Sequence, residues 1–246
     1  MRIDPETKKK IATTGFTVIN NVFTEKEIDA LVNTISKVDS SGQTFRKSTE
    51  LFAIRQFLKE VPDAANIVFN EQLKCIILSI FEEGFFVVKS IYFDKPPASN
   101  WFVAWHQDLT ISVDQKMELD GYRSWTTKHQ QFAVQPPLPV LEDNFTIRIH
   151  LDDTNEENGA LKIIPSSHLK GIYRPETIDW SSENEITVNV QKGGVMLMKP
   201  LLLHSSGRTT NHVARRVIHI EFSRITLPND LHWSEKTEIP NSCQPS

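Results

Sequence analysis

The chain has 246 residues, of which 39% are hydrophobic and 24% charged, and its 27 basic and 31 acidic side chains leave a net charge of −4. These values are typical of a soluble globular protein and exclude collagen-like, coiled-coil and wholly disordered chains. The near-neutral balance also offers no strongly basic surface for nucleic acid.

The N-terminal part of the sequence is predicted to contain one strand and two helical regions. The β-branched and aromatic run 15–23 predicts a short strand. A capping box then precedes apolar residues at helical spacing, so we expect a helix from about 25 to 37. A second amphipathic region follows Pro62, and its apolar residues have the same spacing: Leu73, Ile76, Ile77 and Ile80. The segment 42–58 is ambiguous.

From Phe85 onward, short strand-like runs separated by turn signals dominate: 85–94, 101–107, 146–152, 160–164, 186–190, 194–199 and 216–223. A helical part of about 1–84 followed by a strand-rich core of about 85–225 argues for an α+β fold, an antiparallel sandwich or barrel backed by helices. Within it, 109–145 has little periodicity and three prolines, which predicts a functional lid. The polar tail of about 228–246 is expected to be loosely held.

The cysteine count and the N-terminus bear on location. Only two cysteines are present, Cys75 and Cys243, which excludes a disulfide framework and a zinc-binding cysteine cluster and favours a reducing compartment. The charged N-terminus is not followed by the apolar stretch of a signal peptide. The longest apolar runs are far shorter than the ~20 residues that span a bilayer. We therefore expect a cytoplasmic protein whose partners include neither a membrane nor nucleic acid.

The sharpest local motif is the sequence His106-Gln107-Asp108. On a strand, residues two apart project to the same face about 6–7 Å from each other, so His106 and Asp108 can reach one small ion together. The motif alone is weak, because a polar strand end gives the same pattern. A third donor is His204, which ends the apolar run 193–203. Two histidines and one carboxylate, with other positions left to water and substrate, form the facial triad expected of non-haem Fe(II) oxygenases.

The basic pair Arg215-Arg216 opens the last strong strand. An arginine near the second histidine would supply the planar fork that a dicarboxylate cosubstrate needs. By alternation, Arg215 shares a face with the polar residues His219 and Glu221, whereas Arg216 shares a face with apolar residues. Alternation does not say which face lines the barrel, so we prefer Arg215 and keep Arg216 as the alternative.

Several segments give the chain a specific resemblance to a known family: WHQD at 105–108, IRIHLDDTNEENGALKIIPSSH at 147–168, GGVMLMKPLLLHSSG at 193–207 and RRVIHIEF at 215–222. In these segments, and in the N-terminal GFTVINNVFTEKEI, it resembles the phytanoyl-CoA dioxygenase family of Fe(II)/2-oxoglutarate-dependent oxygenases. The resemblance implies a double-stranded β-helix core, which is a jelly-roll or cupin-like fold, with the N-terminal helices packed on one sheet.

The resemblance also implies site residues and cofactors. It assigns iron to His106, Asp108 and His204, and it assigns 2-oxoglutarate to Arg215 with Ser206 as a hydrogen-bond donor to the same carboxylate. Fe(II), the cosubstrate 2-oxoglutarate and O2 are the implied cofactors. Because related halogenating enzymes lack the carboxylate ligand, Asp108 favours hydroxylation. The expected reaction is hydroxylation of an unactivated C–H bond in a small organic substrate, with release of succinate and CO2.

Other side chains are open between two interpretations. Lys89 falls on an apolar stripe, where an unpaired ammonium is costly, so it either reaches solvent or meets an anion, for which a cosubstrate carboxylate is one candidate. Three polar residues share one face of a later strand: Arg148, His150 and Asp152. They could line the pocket, although a hydrogen-bonded core network is the safer interpretation. In the expected lid, Trp125 and Lys128 face either substrate or solvent.

Two other functions remain as alternatives. The three ligands could hold zinc with a water in the fourth position, as in a hydrolase, although no glutamate base stands beside the histidines. A non-catalytic jelly-roll binding module would not require the three side chains to converge. Since the ligands are spread from His106 to His204, we expect a single domain over 1–246. The sequence leaves the substrate and the choice between monomer and homodimer open.

Overall fold

Helices occupy much of the first third of the chain, and strands dominate the rest. The computed structural model describes the following residues: 4–39, 42, 44–48, 52–97, 99–128 and 131–239. Their α-helices are α1 Pro5–Thr14, α2 Glu25–Ser36, α3 Phe57–Glu60, α4 Ala65–Val68, α5 Glu71–Phe81 and α6 Leu138–Asp143. Their strands are β1 Phe16–Ile19, β2 Phe45–Lys47, β3 Phe52–Arg55, β4 Phe86–Lys95, β5 Val103–His106, β6 Ile111–Val113, β7 Arg123–Lys128, β8 Gln131–Gln135, β9 Phe145–His150, β10 Leu161–Ile163, β11 Ile186–Val188, β12 Val195–Met198, β13 His204–Ser206, β14 Arg215–Ser223 and β15 Thr237–Glu238.

The strands form three antiparallel sheets. The large sheet has the order β1-β12-β9-β14-β4-β3-β2, and β15 pairs with β4. A four-stranded sheet has the order β11-β10-β13-β5, and a three-stranded sheet has the order β6-β8-β7. The large and four-stranded sheets enclose a cavity between them. The fold is therefore the predicted α+β jelly roll.

The large sheet has one apolar face, and the helices cover it. Because side chains alternate along a strand, Phe145, Ile147 and Ile149 of β9 all project to that face, while Thr146 and Arg148 project into the barrel. The apolar residues at helical spacing in α2 and α5 pack into the same cluster: Ile28, Leu31, Ile35, Leu73, Ile76, Ile77 and Ile80. The predicted capping box forms at the start of α2. The polar face of the sheet is thus left to line the barrel.

The centre of this core is an aromatic stack around Phe145. Its ring lies parallel to that of Phe81 with a centroid separation of 3.5 Å, and to that of Phe222 with a separation of 4.7 Å. Phe145 itself is fully buried. The stack thus joins α5 to β9 and β14.

We expect Phe145→Ala to lower the free energy of unfolding by about 3–5 kcal/mol, because it removes buried contacts and leaves a cavity. Leu169→Ala is the control, since Leu169 is 66% exposed and its loss should change stability by no more than about 0.5 kcal/mol. Urea denaturation of both variants measures the difference. Equal effects of the two substitutions would contradict the assignment of Phe145 to the core.

The segment 109–145 is more regular than its sequence indicates. It forms the three-stranded sheet and α6, and its apolar side chains make a second cluster centred on Ile111, Val113 and Val134. Trp125 packs against this cluster and does not line the cavity between the two larger sheets. The side chain of Lys128 lies outside the described residues. Its sequence shows little periodicity because each strand is short, and the assignment of the segment as a functional lid stays a prediction.

Two terminal elements also differ from expectation. The helix α1 was not predicted, because among its ten residues only Ile11 is buried. The tail is held as far as residue 239, contrary to the prediction of a loose segment. Leu231 and Trp233 are buried in the second cluster, and Glu235 accepts hydrogen bonds from the backbone and hydroxyl of Ser90. A carboxylate anchored by two hydrogen bonds therefore fixes the tail to β4.

The cysteines and the helices bear on the predicted location. Cys75 lies in α5, and the reducing compartment expected from the cysteine count stays a prediction. Cys243 lies outside the described residues. Among the residues described, no single helix has the length and apolarity needed to cross a membrane, and one bent pair, 62–68 with 71–81, meets the requirement by length and composition only.

A cavity of about 450 Å³ lies between α1, α5 and α6, outside the barrel. Lys199 lines it and donates a hydrogen bond to the carbonyl of Asn144 at 2.9 Å. Burial lowers the pKa of Lys199 from 10.5 to about 8. Between these two pH values the unfolded chain binds more protons at this lysine than the folded chain does, so stability should rise with pH.

We expect the wild type to gain about 1–3 kcal/mol of stability between pH 8 and pH 10.5 relative to Lys199→Gln. Glutamine keeps an N–H donor for the carbonyl of Asn144 but does not titrate. Urea denaturation at both pH values measures the difference, and subtraction of the variant removes the contribution of other alkaline groups. The same pH response in both proteins would show that Lys199 titrates normally.

Candidate metal centre

The cavity between the large and four-stranded sheets, which we call the central cavity, has a volume of about 230 Å³. All six residues predicted for the site line it: Lys89, His106, Asp108, His204, Ser206 and Arg215. They come from β4, β5 and the loop after it, β13 and β14. The fold therefore brings together side chains that are far apart in the sequence.

The three predicted metal ligands meet where β5 pairs with β13. His106 and His204 are direct cross-strand partners, and their ring centroids lie 4.2 Å apart. Asp108 follows β5 and is held by a backbone hydrogen bond to the carbonyl of Pro200. Its two carboxylate oxygens lie 3.8 Å from Nε2 of His106 and 3.9 Å from Nε2 of His204. One donor atom from each residue falls within 4.8 Å of the other two, so all three can contact one ion.

Backbone carbonyls fix the orientation of both histidine rings. Nδ1 of His106 lies 2.8 Å from the carbonyl of Ala104, and Nδ1 of His204 lies 2.8 Å from that of Leu202. A carbonyl only accepts hydrogen bonds, so each Nδ1 carries the proton and donates it. In the neutral form of each ring, Nε2 then holds a lone pair, and it lies within 4 Å of the Asp108 carboxylate. This is the tautomer that metal-binding histidines adopt when a second group orients them.

The donor set fits a divalent cation. Burial lowers the pKa of His204 to about 4, so its ring is neutral at pH 7. Burial opposes ionisation of Asp108, but the neighbouring histidines and Lys89 outweigh it and hold its pKa well below the usual range. Oδ2 of Asp108 is buried, and no described residue gives it a hydrogen bond. A metal ion would satisfy these acceptor atoms, which converge without a hydrogen-bond donor between them. A set of two histidine nitrogens and one carboxylate oxygen suits iron.

The two candidate arginines point to opposite faces of β14. Arg215 lines the central cavity and is buried, and its Nε and Nη1 atoms have no hydrogen-bond partner among the described residues. Burial lowers its pKa to about 9, which still leaves it charged at pH 7. Arg216 lies on the other face and binds Asp152 through Nε at 2.9 Å and Nη2 at 2.6 Å. Of these two arginines, Arg215 is therefore the one whose unpaired guanidinium lies at the cavity.

Lys89 forms an ion pair with a carboxylate of the protein itself. Its Nζ lies 2.7 Å from Oε1 of Glu221, which is its cross-strand partner on β14. His219 donates from Nε2 to the same carboxylate at 3.1 Å and accepts at Nδ1 from Nη1 of Arg148, also at 3.1 Å. The charge of Lys89 is thus balanced without a cosubstrate, and its assignment to 2-oxoglutarate stays a prediction.

The three residues Arg148, His150 and Asp152 do not share one environment, contrary to the expected network. Arg148 lines the central cavity. His150 is buried and bonds Thr154 through Nδ1 at 2.8 Å, while Asp152 binds Arg216. The strand β9 ends at His150, so its alternation does not extend to Asp152. His219 and Glu221 were missed as cavity residues, although their alternation with Arg215 was a usable signal.

A second group of converging donors, Asp108, His219 and Glu221, also lies within 4.8 Å. Glu221 and His219 are already bonded to each other, and Glu221 also binds Lys89. A metal ion there would have to displace these contacts. The group of two histidines and Asp108 is the better metal centre, because its acceptor atoms have no competing donor.

Comparison with known proteins gives the family. Residues 11–217 match the family model described as phytanoyl-CoA dioxygenase (PhyH). The chain belongs to the phytanoyl-CoA dioxygenase family. The family predicted from the sequence motifs is thereby confirmed, and the enzyme is a non-haem Fe(II)- and 2-oxoglutarate-dependent dioxygenase that uses O2.

Individual relatives of this dioxygenase are distant in sequence. A phytanoyl-CoA dioxygenase domain-containing protein 1 homolog from Caenorhabditis elegans is 22% identical, with 94% of this chain and 95% of the relative covered. A probable alpha-ketoglutarate-dependent hypophosphite dioxygenase from Stutzerimonas stutzeri is 22% identical, with 89% and 78% covered. The structure of EctD from S. alaskensis with 2-oxoglutarate and 5-hydroxyectoine is also similar, with a TM-score of 0.68 at 16% identity. The comparison covers 90% of this chain and 76% of the EctD chain.

Proposed function

We propose that this dioxygenase hydroxylates an unactivated C–H bond of a small organic molecule and releases succinate and CO2. In this proposal His106, Asp108 and His204 hold the iron, and Arg215 binds the cosubstrate with help from Ser206. The observation that carries the proposal is the convergence of three acceptor groups within 4.8 Å in a cavity that also contains an unpaired arginine. Iron, once bound with 2-oxoglutarate and O2, supplies the oxidising power.

The side chains around the metal centre have distinct roles in this proposal. The two histidines would present their Nε2 atoms to the ion, and Asp108 would supply the carboxylate ligand that related halogenating enzymes lack, which favours hydroxylation over halogenation. The fork of Arg215 can form two parallel hydrogen bonds with the distal carboxylate of 2-oxoglutarate. Phe93 and Trp101 line the cavity and limit the access of water to it.

The names of the relatives support a small substrate but do not identify it. They refer to hypophosphite in one relative and to 5-hydroxyectoine in another. These two molecules differ greatly, and the two proteins are only 22% and 16% identical to this chain. The substrate of a relative therefore cannot be taken as the substrate of this enzyme. We also propose that residues 1–246 form a single domain, because pairing of β5 with β13 joins distant parts of the chain. The cytoplasmic location stays a prediction.

The zinc-hydrolase alternative lacks a free base. Such an enzyme needs a carboxylate to activate the metal-bound water. Besides Asp108, the carboxylate that lines the central cavity among the described residues is Glu221, and it is engaged by Lys89 and His219. The convergence of the metal ligands, together with the family, contradicts the non-catalytic binding module.

Visible absorption under anaerobic conditions tests the proposed function. Protein mixed with Fe(II) and 2-oxoglutarate should develop the absorption band of an iron–2-oxoacid chelate. Glutarate is the matched control, because it has both carboxylates but lacks the keto group and should give no band. Absence of a band with 2-oxoglutarate would contradict the proposal. Candidate substrates can then be screened in air by the amount of succinate formed.

A further inference from the structure

Arg148 is a buried cation in the central cavity, and none of the described carboxylates forms an ion pair with it. It lies on β9 with 8% of its surface exposed and lines the cavity together with Asp108 and His204. Its Nη1 donates to His219, and its Nε has no partner among the described residues. An ionised group that is buried without a paired counter-charge destabilises the folded protein. An anion that enters the cavity would remove this penalty.

The contact with His219 does not neutralise Arg148. His219 accepts from Arg148 at Nδ1 and donates at Nε2 to Glu221, so its ring is neutral. The negative charge of Glu221 is in turn balanced by Lys89 at 2.7 Å. Burial lowers the pKa of Arg148 to about 10, which leaves the guanidinium charged at pH 7. The network therefore orients Arg148 without an ion pair. Asp108 attracts its charge from within the cavity, but in the proposed function that carboxylate is taken by iron.

The proposed cofactors do not balance this charge either. The two positive charges of Fe(II) and the one of Arg215 are cancelled by Asp108 and by the two carboxylates of 2-oxoglutarate. Lys89 and Glu221 cancel each other. A cavity loaded with Fe(II) and 2-oxoglutarate would thus have no net charge if Arg148 were absent. Arg148 gives it one excess positive charge.

We propose that Arg148 binds an anionic group of the substrate, and that the substrates of this enzyme carry a carboxylate or a comparable oxyanion. The inference rests on the proposed function, because the cavity must also hold iron and 2-oxoglutarate. Since Nη1 is used by His219, the edge formed by Nε and Nη2 remains for the anion, and this edge can bind both oxygens of one carboxylate. The oxyanion would fix the orientation of the substrate.

Binding of paired acids and amides tests this assignment. The protein is loaded anaerobically with Fe(II) and 2-oxoglutarate and titrated with linear aliphatic acids from butanoate to octanoate, each paired with its primary amide. Calorimetry and the change in the visible chelate band measure the binding. At least one acid should bind about tenfold more tightly than its amide, as a charge-assisted hydrogen bond to a buried arginine requires.

Variants of Arg148 distinguish an effect on substrate binding from an effect on cosubstrate binding. Arg148→Gln keeps a donor for His219 but removes the charge, so it should abolish the preference for acids and leave the dissociation constant of 2-oxoglutarate unchanged. Arg148→Lys should retain part of the preference. Arg174→Gln, which changes an exposed arginine outside the cavity, should retain all of it. Circular dichroism and the melting temperature verify that each variant is folded.

Three results would overturn the assignment. The first is that no acid of the series binds wild type more tightly than its amide. The second is an acid preference that survives in Arg148→Gln. The third is a weakened affinity for 2-oxoglutarate in that variant with the acid preference intact, which would place Arg148 at the cosubstrate. In all three the chelate band is present in wild type, whereas its absence would instead indicate failure of the proposed function.

Discussion

Asp108→Ala is expected to lower the affinity for Fe(II) by at least about a hundredfold and to abolish succinate formation. Even loss of a group that only orients a ligand weakens metal binding by about 10–100-fold, and Asp108 is the single anionic ligand of the proposed centre. Without it, two neutral histidines remain, and they do not offset the charge of the ion. Anaerobic titration with Fe(II), followed by calorimetry, measures the loss.

The matched control is Asp120→Ala, which removes an exposed carboxylate outside the central cavity. It should leave iron affinity and succinate formation unchanged. Asp108→Ala itself should remain folded, because the variant removes a buried carboxylate whose Oδ2 has no hydrogen-bond partner in the described part of the chain. Wild-type iron affinity in a folded Asp108→Ala variant would disprove the assignment of this ligand.

Arg215→Ala is expected to raise the KM for 2-oxoglutarate by at least about thirtyfold, since loss of one member of a buried charge pair weakens binding by about 2–5 kcal/mol. Iron affinity should change little, because Arg215 is not among the converging metal ligands. Succinate formation at varied 2-oxoglutarate measures the effect, and calorimetry with Fe(II) alone gives the iron affinity.

Arg216→Ala serves as the comparison for this prediction. It removes the ion pair with Asp152 on the opposite face of β14, so we expect lower thermal stability and an unchanged KM. The reverse pattern is a KM that is raised in Arg216→Ala and normal in Arg215→Ala. It would show that Arg216, and not Arg215, binds the cosubstrate. A raised KM in both variants would indicate that the strand itself had shifted.

Local spacing predicted the features that depend on a single strand or helix. The two-residue period grouped Arg215 with His219 and Glu221 on what the structure identifies as the barrel face. The strand β5 ends at His106, so Asp108 reaches the same cavity from the loop and not by alternation. The helical period likewise found the buried stripe of α5, from Leu73 to Ile80. In each case a repeating apolar or polar pattern carries the information, because one face is buried and the other is not.

Features that depend on strand register could not be predicted in the same way. Lys89 and Glu221 are 132 residues apart and become partners only because β4 and β14 pair in one particular register. The role of Arg148 depends on three neighbouring strands, since it reaches Lys89 through His219 and Glu221. Alternation gives the face of a residue, but pairing gives its neighbours, and the sequence pattern contains no direct signal for pairing.

The carbonyl contacts of His106 and His204 have a consequence for how metal is acquired. Each ring is bound by the carbonyl two residues earlier in the same chain segment, so its direction is determined when the local backbone forms. The entropy of ordering these two rings is therefore lost during folding and not during metal binding. Asp108, whose Oδ2 has no protein partner among the described residues, is left as the ligand that can adjust to the ion. The proposed centre would thus combine two preset ligands with one adaptable ligand, and movement of a single carboxylate would accommodate ions that differ somewhat in radius.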